Sequence, residues 1–192
     1  MAFLQTIRNL LLPFASREEV PVVPAPITAY SVRPLTETDL DEVLRLNLRC
    51  FVNGENYTKH TFNYLLTQPN ALCYQIATAE RAMAGFICVL VAENGAAHVT
   101  TIGVAPEHRR RGLAEKLLTH VDRALFEKGV GSIMLEVRVS NRAAQQLYLS
   151  CGFSIVQRLS SYYNNGEDGF LMVKAVDGGG QARTRIDRPE RG

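Results

Sequence analysis

The sequence contains no tryptophan, its four cysteines are scattered, and its net charge is only +2 over 192 residues. Each scarcity excludes something. A charge that small gives no field broad enough to hold nucleic acid or an acidic membrane surface. Cys50, Cys73, Cys88 and Cys151 form no C-x-x-C pair, and each stands among apolar neighbours. That pattern reads as buried free thiols in a reducing compartment rather than disulfides or zinc ligands. His60, His98, His108 and His120 lack metal-ligand spacing, so no metal is expected. No run approaches the roughly 18–20 consecutive apolar residues that span a membrane. The N-terminus has neither a basic n-region nor a small-residue cleavage site, which argues against a secretory signal. These absences lead to the expectation of a cytoplasmic protein. What is present, 46% hydrophobic and 21% charged residues, is the composition of one globular domain with a good core.

The chain is organised around Ala105-Pro106-Glu107-His108-Arg109-Arg110-Arg111-Gly112-Leu113-Ala114. An apolar run, Val99 to Val104, leads in, and an amphipathic pattern, Leu113 to Lys128, leads out. Strand, basic glycine-bearing turn, helix: that order builds an anion site. The first amides of a helix have no intrahelical partner, and the dipole makes that end partly positive. A glycine lets a phosphate approach the backbone, and arginines add charge for a polyphosphate. The turn is neither G-x-G-x-x-G nor G-x-x-x-x-G-K-[ST]. The plainer alternative is a basic helix start on a solvated surface.

The rest of the chain divides around this turn. Phe3, Leu4, Ile7, Leu10, Leu11 and Phe14 recur at helical spacing, which predicts a short amphipathic helix over residues 1–16. It could dock on its own domain, a partner or a membrane surface. Residues 17–29 hold Pro21, Pro24 and Pro26 and read as an extended linker. The domain proper is expected over residues 30–176, and the Gly-, Arg- and Pro-rich residues 177–192 as a disordered tail. Within the domain the pattern predicts a strand at Tyr30, then helices at Leu40 to Cys50 and Thr58 to Leu66. Strands follow at Leu72 to Thr78, Met83 to Glu93 and Ala97 to Val104, the last two joined by an Asn94-Gly95 hairpin. After the third helix come a strand over Ser132 to Val139, a helix capped at Ser140-Asn141, and strands at Phe153 to Leu159 and Gly169 to Val176. The result is an α/β (α+β) class, with a mixed, mostly antiparallel seven-stranded sheet flanked by four helices.

Arg109-x-x-Gly112-x-Ala114 fits the R/Q-x-x-G-x-G/A signature of the GNAT family of N-acetyltransferases, whose loop binds the pyrophosphate of acetyl-CoA. Two more stretches carry the resemblance. Leu135-Glu136-Val137-Arg138-Val139-Ser140-Asn141, with Leu147-Tyr148 and Cys151-Gly152-Phe153, is similar to the subgroup that acetylates protein N-termini, the ribosomal-protein-alanine type among them. Tyr162-Tyr163 with Gly166-Glu167-Asp168, and Glu55-Asn56-Tyr57, resemble that subgroup's two peptide-binding loops.

The resemblance implies transfer of acetyl from acetyl-CoA to a protein or peptide α-amine, by direct attack in a ternary complex and without metal. Glu136 would be the general base. An α-amine has a pKa of about 8, so the proton to be removed is held weakly. The alternative for Glu136 is an exposed strand carboxylate paired with Arg138. Tyr148 would protonate or hydrogen-bond the CoA sulfur, or else merely pack. Asn141 would bind the pantetheine arm, cap its helix, or both. The backbone of Ile102, Gly103 and Val104 would hold pantetheine and polarise the acetyl carbonyl. Arg109, Arg110, Arg111, Gly112, Leu113 and Ala114 would cradle the pyrophosphate. Glu55, Tyr57, Tyr162 and Tyr163 would contact the peptide, Tyr162 and Tyr163 as an exposed aromatic pair. Competing readings are an acetyltransferase for lysine or a small amine, and a non-catalytic CoA-binding regulatory module. Nothing in the residues fixes an oligomeric state.

Overall fold

The computed structural model describes residues 22–51 and 56–178. The amphipathic helix expected over residues 1–16, the start of the proline-rich segment, Glu55 and residues 179–192 of the tail lie outside the described residues.

In chain order the elements are β1 (Tyr30–Pro34), α1 (Leu40–Cys50), α2 (Lys59–Thr67), β2 (Ala71–Thr78), β3 (Met83–Val91) and β4 (Ala96–Val104). They continue with α3 (Leu113–Glu127), β5 (Ser132–Arg138), α4 (Arg142–Ser150), β6 (Ser154–Leu159) and β7 (Gly169–Ala175). The seven strands form one sheet in the order β1-β2-β3-β4-β5-β7-β6. Every neighbouring pair is antiparallel except β4–β5. The predicted class and element order therefore hold.

Local chemistry sets the boundaries. Thr58 caps α2 by accepting from the Thr61 amide at 3.2 Å. Gly112, at φ +71°, starts α3 in the left-handed region, where an L side chain is strained. β3 stops at Val91, short of the expected Glu93. The Ala92 amide donates to Ala96 O at 2.8 Å and the Gly95 amide to Ala92 O at 3.0 Å, which makes Ala92 to Gly95 the turn.

The sheet separates two cores. On one face α3 and α4 pack Leu113, Leu117, Val121, Leu125 and Tyr148 against Val89, Val99, Ile133, Leu135, Val137 and Met172. Each such side chain contributes about 1.5–3 kcal/mol when fully buried. On the other face α1 and α2 pack Val43, Leu46, Phe62 and Leu65 against Met83, Phe86 and Cys88. Asp122 of α3 is buried within the apolar stripe; Lys174 of β7 compensates its charge at 3.0 Å. All four cysteines are free, but only Cys88 is fully buried.

The proline-rich segment departs from the expected linker. Residues 22–29 are irregular, as proline demands, yet they are bonded to the domain. The Ala25 amide donates to Glu107 O at 3.0 Å, and Arg111 donates to Pro26 O at 2.9 Å.

Candidate active site

The parallel pair β4–β5 is the irregular part of the sheet. Its register covers Ala96↔Ser132, Ala97↔Ile133 and His98↔Met134, and pairing stops there. β4 runs on to Val104 and β5 to Arg138, so a seam opens between them. On its other side β4 stays paired with β3 up to Gly85↔Val104. The seam thus leaves a strip of β4 backbone polar groups facing no strand, and such groups need a partner.

A β-bulge aims the side chains around this seam. The β3–β4 register passes from Cys88↔Thr101 to Val89↔Val99, which inserts Thr100. Because strand side chains alternate, one inserted residue reverses which face each later residue takes. Before the bulge Val99 faces α3 and α4; after it Ile102 and Val104 do so. Gly103 then faces α1, where an added Cβ would lie 2.8 Å from the Phe86 ring and 3.1 Å from Cys50 Sγ. Only glycine fits there without moving an aromatic ring. Tyr57 donates its hydroxyl proton to Thr100 O at 2.7 Å, and Asn47 of α1, fully buried, donates to Tyr57 O at 3.1 Å. The bulge is thereby braced by the loop between α1 and α2.

At one end of the seam lies the basic turn. Pro106–His108 forms one 3₁₀ turn, Arg109 is extended, and Arg110 and Gly112 take φ of +63° and +71°. The first intrahelical bond of α3 runs from the Lys116 amide to Gly112 O. The preceding amides are left pointing out of the helix start, which makes an anion-binding concavity. The three arginines divide their work. Arg109 Nε donates to Val104 O at 3.2 Å. Arg111 is turned onto the proline-rich segment, and Arg110 is exposed. The expected charge cluster is thus partly spent inside the protein.

Glu136 stands near the other end. It lies on β5 opposite the aliphatic row Ile133, Leu135 and Val137, two residues beyond the last β4–β5 pair. Its Oε2 meets His98 Nε2 at 2.6 Å, with only 12% of the Glu136 side chain exposed. The pairing of Glu136 with Arg138 offered by sequence is therefore wrong. Strand alternation alone puts both on one face, but Arg138 Nη1 reaches Glu167 Oε2 at 2.5 Å, and its guanidinium lies 3.9 Å from the centre of the Tyr163 ring. Sequence reasoning set His98 aside as a non-metal histidine. Its role depends on β4 and β5 being parallel neighbours, which no local pattern announces.

Tyr162 and Tyr163 pack edge to face at 5.1 Å and are half-buried rather than exposed. Burial, and secondarily the Glu136 carboxylate, push the Tyr162 phenol up to about 12, which places it within electrostatic reach of Glu136. The loop carrying this pair is pinned at Glu167, whose Oε1 accepts from the Ser140 amide at 2.9 Å. Hydrogen bonding from Ser140, then Arg138, depresses the Glu167 carboxyl to about 2.

Tyr148 sits on the other face. It is buried on α4 with its ring 5.9 Å from Phe153, and burial raises its phenol well above the ordinary tyrosine range. Asn141 caps α4 by accepting from the Ala144 amide at 3.1 Å, which leaves its amide N–H groups for another acceptor. The base and acid candidates thus lie on opposite faces of the sheet, Glu136 on β5 and Tyr148 on α4. Among the described residues no cluster of histidine, cysteine or carboxylate groups has metal-site geometry.

A split parallel pair in a mixed sheet, with an anion turn at the head of the following helix, defines the acyl-CoA N-acyltransferase class of fold. The Acetyltransferase (GNAT) family model matches residues 40–153, and the chain belongs to that family. It is 33% identical over 149 residues to the N-alpha-acetyltransferase daf-31 of Caenorhabditis elegans, covering 74% of this chain and 80% of that protein. It is 30% identical over 158 residues to an N-alpha-acetyltransferase of Sulfurisphaera tokodaii, covering 75% and 92%. Among solved structures, the ribosomal-protein-S18-alanine N-acetyltransferase of Escherichia coli superposes with a TM-score of 0.71 at 28% identity. That alignment spans 82% of this chain and 99% of that one.

Proposed function

We propose that this protein transfers acetyl from acetyl-CoA to the N-terminal α-amine of a protein or peptide, by direct attack in a ternary complex. The observation that carries the reading is the seam with Glu136 on one face and Tyr148 on the other. The names of its N-alpha-acetyltransferase relatives support the α-amine as acceptor.

The residues present fit the cofactor. The unpaired β4 backbone beside the seam suits the two amides of a pantetheine arm. The left-handed positions at Arg110 and Gly112 suit a pyrophosphate. Acetyl-CoA supplies the activated thioester when bound; this chain supplies position and proton transfer. Ile102, Gly103 and Val104 present the backbone, and an amide near Val104 polarises the acyl carbonyl as charge develops there. Arg109, Arg110, Arg111, Gly112, Leu113 and Ala114 form the phosphate turn. Asn141 offers its free amide donors to the arm.

Glu136 takes the proton from the attacking amine. His98 occupies Oε2 and so leaves Oε1 for the amine or an intervening water. A carboxylate accepts, so the His98 proton stands on Nε2. Tyr148, kept protonated by burial, donates to the departing sulfur. A phenol raised in this way is a weaker acid than an alkyl thiol, so it serves as a hydrogen-bond donor to the sulfur as thiolate charge develops. Tyr57, Tyr162 and Tyr163 line the amine's side of the seam, and Glu55 belongs to the same loop as Tyr57. The four free thiols accord with the cytoplasmic location in this reading.

A peptide panel tests it. Peptides beginning with Ser, Ala, Met-Leu or Asp are incubated with acetyl-CoA beside the same sequences blocked at the α-amine but bearing lysine. Acetylation confined to free N-termini is expected. Modification of the blocked peptides would transfer the reading to a lysine acetyltransferase, and CoA binding without transfer would leave a regulatory module.

A further inference from the structure

Arg111 makes an unusual set of contacts for an arginine beside an anion site. It donates to the carbonyls of Ala25 and Pro26 and, at 2.6 Å, to the hydroxyl oxygen of Tyr30. Arginine has no acceptor, so the Tyr30 oxygen receives that bond, and the same hydroxyl is hydrogen-bonded with His108 Nδ1 at 2.8 Å. His108 is buried, with its ring edge-on to Tyr30. One residue before it, Glu107 O accepts from the Ala25 amide, and the Glu107 carboxylate is held by Arg49 at the end of α1. The turn from Glu107 to Gly112 is therefore gripped by α1 on one side and by the proline-rich segment on the other.

Two physical points give this grip a purpose. Arg110 is a non-glycine residue at φ +63°, a conformation that persists only where the surroundings over-determine it. Moreover, every named partner of Arg111 is a neutral oxygen. The guanidinium is fixed without being neutralised, so its charge still acts on an anion at the turn.

We propose that residues Ala25 to Tyr30 are a structural part of the phosphate turn, and that Arg111 is a positioning residue that shapes the turn through them. This rests on the reading of the turn as the seat of the CoA phosphates. The segment ceases to be a spacer: it sets cofactor affinity. By linkage, occupancy of the turn tightens the segment in return.

The test uses the full chain and two substitutions, Arg111→Met and the milder Tyr30→Phe, with CoA affinity measured by calorimetry. Loss of the charged fork is expected to weaken CoA binding about tenfold, and loss of the single hydroxyl about threefold. The peptide KM should stay fixed in both, a split that general destabilisation would not produce. Arg111→Lys keeps the charge without the fork and should fall between the wild type and Arg111→Met. In the unaltered protein CoA should slow hydrogen exchange at the Ala25 amide, a measurement independent of whether any variant folds. Unchanged CoA affinity in Tyr30→Phe together with unchanged Ala25 exchange overturns the proposal while leaving the turn's assignment intact. So does an equal loss of peptide and CoA affinity. Failure of the unaltered protein to bind CoA at all overturns the assignment of the turn and this proposal with it.

Discussion

The sheet has two unequal parts that meet at three residue pairs. Strands β1 to β4 are paired antiparallel throughout, and their contribution to the candidate site is mostly backbone: the bulge at Thr100, the glycine at 103 and the turn after Val104. Strands β5, β7 and β6 contribute side chains: Glu136, Arg138 and the tyrosine loop held by Glu167. The difference separates two tasks. On the reading proposed above, a bound phosphate and thioester would be gripped by backbone dipoles, whose aim depends on local conformation rather than on side-chain chemistry. Proton transfer needs particular side chains at particular distances.

Substitutions should divide along the same line. The largest effect is expected from Glu136→Gln, which removes the proposed base: turnover should fall on the order of a hundredfold or more while CoA affinity holds. Tyr148→Phe should give a smaller loss, about tenfold, with the same pattern. Steady-state kinetics beside calorimetry decides; a loss of CoA affinity matching the loss of turnover would erase the division. In the other part, Gly112→Ala should act the opposite way. It should raise the KM for acetyl-CoA severalfold and cost about 1 kcal/mol of stability, because the left-handed conformation is strained for alanine.

The smallest effect concerns pH. The Glu167 carboxyl is depressed in the folded protein, so its hydrogen bonds contribute stability above the unfolded carboxylate value. That contribution is lost as pH falls from there toward about 2. Glu167→Gln should therefore lower stability slightly at neutral pH and flatten the acid side of the stability curve, the two proteins converging as pH falls toward about 2. Thermal melts from pH 7 down to about 3 would show it; an unaltered acid limb would mean that the tyrosine loop does not depend on this carboxylate.

Much of the first part was legible because its signals are local. Asn94-Gly95 marks the β3–β4 turn, and Arg109-x-x-Gly112-x-Ala114 marks the helix start. Even there the proline-rich stretch misled: composition shows that it cannot be helical but not that Arg111 holds it down. The second part was legible in residue type and not in pairing. Alternation put Glu136 and Arg138 on one face, but the partner of each comes from a strand or loop that sequence distance hides, His98 from 38 residues upstream and Glu167 from 29 downstream. The bulge at Thr100 left only a trace. The apolar positions pass from Ala97 and Val99 to Ile102 and Val104, an odd step that breaks the alternation, and the register with β3 shows that an inserted residue causes it.

The brevity of the β4–β5 pairing has a consequence beyond chemistry. On the reading proposed above, the ligand lying in the seam supplies contacts that a complete sheet would obtain from its own chain. A ligand present at a hundred times its dissociation constant adds about 2.7 kcal/mol to a fold whose total margin is only about 5–15 kcal/mol. The cofactor is then also a folding partner, and the melting point reads out the supply of acetyl-CoA. Molecules starved of it are the ones that quality control meets first.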